Sequence, residues 1–137
     1  MMISSSPDET ILFAENLAKD LNGKSVILLE GELGAGKTCF VRGLCSGLGG
    51  DPLQVHSPTF TIVNEYETSN YTLMHIDAYR LSGPEELFTI GWSEMCETED
   101  VIIAIEWPSK IAAALPSNTI NILMEHIDEQ KRGITLS

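Results

Sequence analysis

Eight residues constrain this chain more than any others. Gly31-Glu32-Leu33-Gly34-Ala35-Gly36-Lys37-Thr38 has the spacing G-x-x-x-x-G-K-[ST]. Glycines at these positions let the backbone curl until successive amide N–H groups point at one centre, which suits phosphate oxygens. A lysine in the seventh place sets a compact positive charge beside the β- and γ-phosphates, and a threonine hydroxyl in the eighth is the right size to ligate Mg²⁺. The flanking residues fit the same reading. Val26, Ile27, Leu28 and Leu29 form a short apolar run of strand type, and residues 39–45 read as a helix that ends near the glycines at 47–50. Strand, glycine loop and helix are the context the motif requires, with the helix N-terminus aimed at the bound anion.

The rest of the chain must complete an α/β sheet around that unit. With 137 residues, 43% of them hydrophobic, the expectation is a single P-loop NTPase domain over residues 1–137 with a real core and little room for a second module. No run of about eighteen apolar residues is present, and the N-terminus lacks the basic start and apolar stretch of a signal peptide, so the expectation is a cytoplasmic protein with no membrane partner. Three cysteines, Cys39, Cys45 and Cys96, make an odd count without C-x-x-C spacing, which argues for free thiols and against zinc. His56, His75 and His126 are scattered singly and read as packing or surface residues. Eight Lys and Arg face twenty Asp and Glu, a net charge of −12, and no basic cluster exceeds Lys131-Arg132. A chain that grips nucleic acid unaided carries a basic patch. Any RNA in its biology is therefore expected to be held by another protein; acidity serving only solubility is the plainer alternative.

In chain order, Ser6-Pro7-Asp8-Glu9 predicts a helix start, with Ser6 as cap, Pro7 in the first turn and Glu9 reaching back. Ile11, Ala14, Leu17, Ala18 and Leu21 give that helix one apolar face, and Asn22-Gly23 stops it. Residues 55–59 read as extended. Residues 60–66 and 71–77 are β-rich runs joined by a turn at 68–70, which predicts a hairpin inserted where a parallel sheet would run a crossover helix. Ser82-Gly83-Pro84-Glu85 predicts a capped helix start, and a short helix is expected at 93–96. Val101-Ile102-Ile103-Ala104-Ile105-Glu106 is a continuous apolar run ending in a carboxylate, the pattern of a buried parallel strand. Residues 109–115 predict a short helical segment, and 119–124 with 134–136 a final hairpin.

Hydrolysis of a phosphoanhydride needs an anion cradle, a metal and a group that places water. Thr38 needs carboxylate help with the metal. Ligands of open α/β sheets bind at the C-terminal strand ends, which makes Glu106 and Asp77 the two candidates; a solvated strand-end carboxylate is the plainer alternative for each. Arg80 could contact phosphate or pair with an acidic neighbour. Trp107 could pack near the nucleotide or serve as a core or interface aromatic. The Asn/Thr-Lys-x-Asp element that reads guanine in many GTPases is absent from the sequence, so adenine nucleotides are expected.

Several stretches in order, the glycine loop, Ser57-Pro58-Thr59-Phe60, His75-Ile76-Asp77-Ala78-Tyr79-Arg80-Leu81, Glu86-Leu87 and Ile105-Glu106-Trp107-Pro108, resemble the TsaE (YjeE) family over nearly the whole chain. The loop alone is shared by many NTPases, whereas the ordered set is specific to this family. The resemblance implies a three-layer P-loop NTPase with a parallel sheet core flanked by antiparallel strands. It implies a weak Mg-dependent ATPase that joins TsaD and TsaB in making threonylcarbamoyladenosine in tRNA, hydrolysing ATP for turnover and meeting tRNA only through the complex. By position it implies that Gly34, Ala35, Gly36, Lys37 and Thr38 bind the phosphates of ATP or ADP. Thr38 and Glu106 hold Mg²⁺, Asp77 sits in a switch-like segment needed for hydrolysis, and Trp107 lies near the nucleotide. Glu9 and Thr10 would help hold the base, and Lys131 or Arg132 would approach the nucleotide. Cys39 stands where the family commonly has a second threonine able to contact the α-phosphate. Two other readings remain open: a small-molecule kinase, for which the chain is short of a lid and a second pocket, and a nucleotide-responsive binding module without significant turnover.

Overall fold

The computed structural model describes residues 2–32, 36–58 and 62–137. Leu33, Gly34 and Ala35 of the glycine loop, and Thr59 and Phe60, lie outside the described residues. Among the described residues seven strands form one sheet: β1 (Met2–Ser4), β2 (Ser25–Glu30), β3 (Val63–Glu67), β4 (Thr72–Asp77), β5 (Val101–Glu106), β6 (Ile120–His126) and β7 (Arg132–Leu136), in the spatial order β1-β7-β6-β2-β5-β4-β3. The central strands β6, β2, β5 and β4 run parallel. The predicted hairpins supply the antiparallel flanks, β3 against β4 and β7 against β6. This is the expected α/β arrangement of a parallel core with antiparallel strands on each side.

Burial follows chemistry along the strands. Every residue of β5 is buried, as a strand covered on both faces requires. On one face Ile27, Leu29, Leu73, Ile102, Ala104, Ile122 and Met124 pack beneath two helices, α1 (Pro7–Lys19) and α2 (Lys37–Gly47). On the other, Val26, Met74, Ile76, Ile103 and Ile105 pack under the segment from Ala78 to Leu115, including Leu87, Trp92 and Ile111. Ser6 caps α1 by accepting the Glu9 N–H at 3.2 Å, and Glu9 reaches back to the Ser5 N–H, also at 3.2 Å. The return bond therefore lands one residue before the cap.

One local expectation is corrected, one is refined, and one strand was not foreseen. Ser82 does not cap a helix. The residue before a proline is driven to extended backbone, Gly83 takes φ −178°, and a 3-10 turn at Pro84–Ile90 follows with no side-chain cap. The helical segment expected at 109–115 is present at Pro108–Ala114, in 3-10 form and broken at Ile111 (φ −131°, ψ 25°). Strand β1 was not foreseen: three residues carry too little periodicity, and its pairing partner β7 is about 130 residues away in sequence. The short helix expected at 93–96 is present as α3 (Trp92–Glu97).

The two long helices touch through small residues. A Cβ on Gly43 would come within 2.6 Å of the Ala14 Cβ and closer still to the Ile11 carbonyl oxygen; one on Gly47 would come within 2.6 Å of the Glu15 carbonyl oxygen. Alanine favours a helix over glycine by about 1 kcal/mol, but overpacking against backbone costs about 3 kcal/mol. Gly43→Ala is therefore expected to lower stability by about 2 kcal/mol in denaturant unfolding, the reverse of its intrinsic preference.

Candidate nucleotide and metal site

Strands β2, β4 and β5 end side by side at Glu30, Asp77 and Glu106, and the glycine loop leaves from the first of them. Gly36 adopts φ +95°, ψ 21°, a left-handed conformation suited to glycine, and opens α2. Among the described residues that helix start has no side-chain cap and no acidic residue in its first turn. Its amide donors and the positive end of its dipole are thus left to an anion.

Lys37 is the first residue of α2, and it is only 5% exposed. Although it belongs to the glycine-loop motif, this lysine is a buried helix residue and not a solvent-facing loop one. Its Nζ donates to the Gly31 carbonyl oxygen at 2.7 Å and lies 3.8 Å from the centroid of the Trp107 ring. Burial pulls the ammonium below its ordinary lysine value, while Glu106, Asp77 and Glu30 oppose that shift. A phosphate arriving beside it would supply the counter-charge that its surroundings only partly provide.

Trp107 owes its place to an uncommon backbone. At φ 60°, ψ 51° it is the one non-glycine residue of positive φ among those described. Its N–H donates to the Leu29 carbonyl at 3.3 Å, and Pro108 follows directly. A left-handed tryptophan is a strained conformation, and here it turns the chain at the end of β5 so that the indole packs on Lys37. The Tyr79 ring sits 5.0 Å from the Trp107 ring, half-exposed.

Asp77 and Glu106 are direct register partners across β4 and β5. Burial raises the Asp77 carboxyl above its ordinary value, with Glu106 adding to the shift; the Tyr79 N–H, which donates to Oδ1 at 3.0 Å, opposes it together with His75 and Lys37. Glu106 is 5% exposed, and its Oε2 lies 2.5 Å from His75 Nε2. A carboxyl whose folded value is raised contributes stability that is complete below its unfolded value and is lost as pH rises through the folded one. Asp77→Asn keeps an acceptor for Tyr79 and removes the buried charge. Its thermal midpoint is expected to gain on the parent's as pH rises from acid to neutral, in parallel unfolding scans.

These groups line one cleft of about 320 Å³. Gly36, Lys37, Thr38 and Cys39 form its helix side; Asp77, Tyr79, Glu106 and Trp107 form the strand-end side, with Ser57 between. Lys37, Thr38, Cys39, Gly36, Trp107, Asp77 and Glu106 are thus brought together, while Gly34 and Ala35 lie outside the described residues. Glu9, Thr10 and Arg132 do not line this cleft. Thr10 is buried, with its hydroxyl 2.7 Å from that of Ser4. Arg132 approaches the loop from another side: a Cβ on Gly36 would lie 4.0 Å from its Nε, and its Nη1 donates to the carbonyls of Asp128 and Lys131. Arg80 is exposed, and no ion pair to it is found among the described residues. A larger cavity, about 410 Å³, lies elsewhere, between β6 and residues 108–115; it is mostly apolar, and the Glu30 carboxylate on its wall accepts from the Ser109 N–H.

Sequence reasoning missed His75. The signal was available in strand parity, since alternate residues of β4 share a face and His75 precedes Asp77 by two.

A profile of the TsaE family, described as threonylcarbamoyl adenosine biosynthesis protein TsaE, matches residues 4–134. The chain belongs to this family. It is 39% identical over 132 residues to the tRNA threonylcarbamoyladenosine biosynthesis protein TsaE of Rickettsia felis, covering 96% of this chain and 76% of that one. The protein of the same description from Treponema pallidum is 38% identical over 135 residues, 98% of each chain. Among solved structures, Bacillus subtilis YdiB superposes with a TM-score of 0.77 at 30% identity, over 98% of this chain and 82% of that one. The TsaE-family membership and this likeness agree with the P-loop α/β fold derived from the strand order.

Proposed function

We propose that this TsaE-family chain is the ATP-hydrolysing subunit required for turnover of a complex with TsaB and TsaD that forms threonylcarbamoyladenosine in tRNA. The observation that carries the chemistry is the convergence, in one cleft, of the α2 N-terminus and Lys37 with the two strand-end carboxylates Asp77 and Glu106. An anion cradle faces acidic groups, which is useful only if a cation and a polyphosphate share the space.

The donor set fits Mg²⁺. Among the described residues no three His, Cys, Asp or Glu side chains form a ready metal cage. Magnesium needs none, because it keeps several waters and takes one or two carboxylates together with phosphate oxygens. Thr38 and Glu106 would hold it, and when bound it would neutralise charge on the β- and γ-phosphates. Lys37 and the first amides of α2 bind and orient the phosphates. Asp77, whose carboxyl burial holds above its ordinary value and whose Oδ1 is fixed by the Tyr79 N–H, would orient the attacking water. Trp107 and Tyr79 exclude solvent from the ammonium side. The acidic composition fits a chain whose partners, rather than itself, hold the RNA.

The test is Mg²⁺-dependent ATP hydrolysis by this chain alone and with purified TsaB–TsaD, with Lys37→Ala as the blank. Stimulation by the partners that the variant abolishes supports the reading. Hydrolysis that rises with a small phosphate acceptor and ignores the partners would replace it with a kinase, and tight binding without turnover in either setting would replace it with a binding module.

A further inference from the structure

We propose that His75 is the positioning residue of the site: its Nε2–H grips Oε2 of Glu106 and leaves the other carboxylate oxygen for the metal side of the cleft. The inference rests on the reading of Glu106 as the Mg²⁺-linked carboxylate.

The sheet register produces the contact. In the parallel pair β4–β5, His75 faces Ala104 and Asp77 faces Glu106, so all four residues share one face and His75 is the diagonal neighbour of Glu106. The methyl group of Ala104 leaves room for the imidazole to lean along the strand toward the carboxylate. Tyr66, on the adjoining strand, backs it with ring centroids 6.3 Å apart. His75 is 0% exposed, and the bond to Glu106 measures 2.5 Å.

The bonding of the ring is one-sided. Nδ1 is buried and has no hydrogen-bond partner among the described residues. A proton on Nδ1 would therefore bury an N–H without an acceptor and turn a lone pair on Nε2 toward a carboxylate. The tautomer with the proton on Nε2 avoids both. An apolar side chain would fill this position without leaving a nitrogen unpaired, so packing alone gives no reason for a histidine. What the imidazole adds is a directed donor on Glu106. A carboxylate on a flexible stem samples several rotamers, and fixing one oxygen sets where the other points, which is how partners behind a ligand raise metal affinity.

The experiment uses the full chain with ATP and Mn²⁺ as a paramagnetic probe for the Mg²⁺ site. Three variants are compared with the parent: His75→Leu, which removes the donor; His75→Gln, whose amide nitrogen can reach the same oxygen; and Glu106→Gln. His75→Leu is expected to weaken Mn²⁺ binding to the nucleotide complex about 10- to 100-fold, while nucleotide affinity in EDTA changes less than about twofold and His75→Gln recovers most of the loss. A purely structural role would lower the thermal midpoint without moving the ratio of metal to nucleotide affinity, and that result overturns the proposal. If Glu106→Gln weakens Mn²⁺ and His75→Leu does not, positioning fails and the metal site stands. If Glu106→Gln leaves Mn²⁺ affinity intact, the metal reading itself fails and takes the proposal with it. Nitrogen NMR of the imidazole in the unmutated chain is decisive should a variant not fold: a proton on Nδ1 rather than Nε2 overturns the assignment.

Discussion

Lys37→Ala is expected to lose nucleotide affinity by about 10- to 100-fold and to keep its fold. The loss follows from the charge-assisted bonds of one ammonium to phosphate oxygens, about 1.5–3 kcal/mol. Retention of the fold follows from a different observation. Lys37 is 5% exposed, its ammonium is held below its ordinary value first by desolvation, and among the described residues it makes one hydrogen bond, to the Gly31 carbonyl. Removing a desolvated charge whose partners are incomplete relieves a cost as it forfeits a bond. The two nearly cancel, and the thermal midpoint should stay within a few degrees of the parent. Titration calorimetry with a non-hydrolysable ATP analogue reads the first quantity and a thermal scan the second. Unchanged affinity would remove the phosphate site from this cleft. A collapsed fold would mean that Lys37 on Trp107 holds the strand-end turn together.

Glu106→Ala should show two separable effects. Hydrolysis falls about 10²- to 10³-fold, the scale for removing one preorganised electrostatic contact to a reacting centre, while nucleotide binding in EDTA stays close to the parent's. Stability also falls, by about 1–3 kcal/mol, because His75 Nε2 is left buried without its acceptor. Glu106→Gln separates these effects. Its amide oxygen still accepts from His75, so the midpoint should recover, but the lost charge keeps hydrolysis low. Equal loss of Mg²⁺-free binding and of hydrolysis in Glu106→Ala would make Glu106 a structural residue and end its role in metal binding.

The candidate site was largely legible because its chemistry is written in short, local patterns. Lys37 and Thr38 follow from the glycine-loop spacing, and Glu106 from the end of an apolar strand. The environments of the same residues were not legible. Lys37 reads as a loop lysine in sequence and is a buried helix residue beneath an indole in space. Trp107 gives no sign in sequence that it will take a left-handed backbone. His75 looked isolated because the carboxylate it meets is 31 residues away and becomes its neighbour only through the β4–β5 register.

The sequence by itself determined the strand–loop–helix unit, the two hairpins and the buried central strand, since each is specified by residues within a few positions of one another: glycine spacing, period-two alternation, an unbroken apolar run. Tertiary structure alone decided the strand order, the pairing of β1 with β7, the close glycine–alanine contact of the two helices and the grip of His75 on Glu106. Those depend on which distant segments share a face, and no local preference of the chain encodes that.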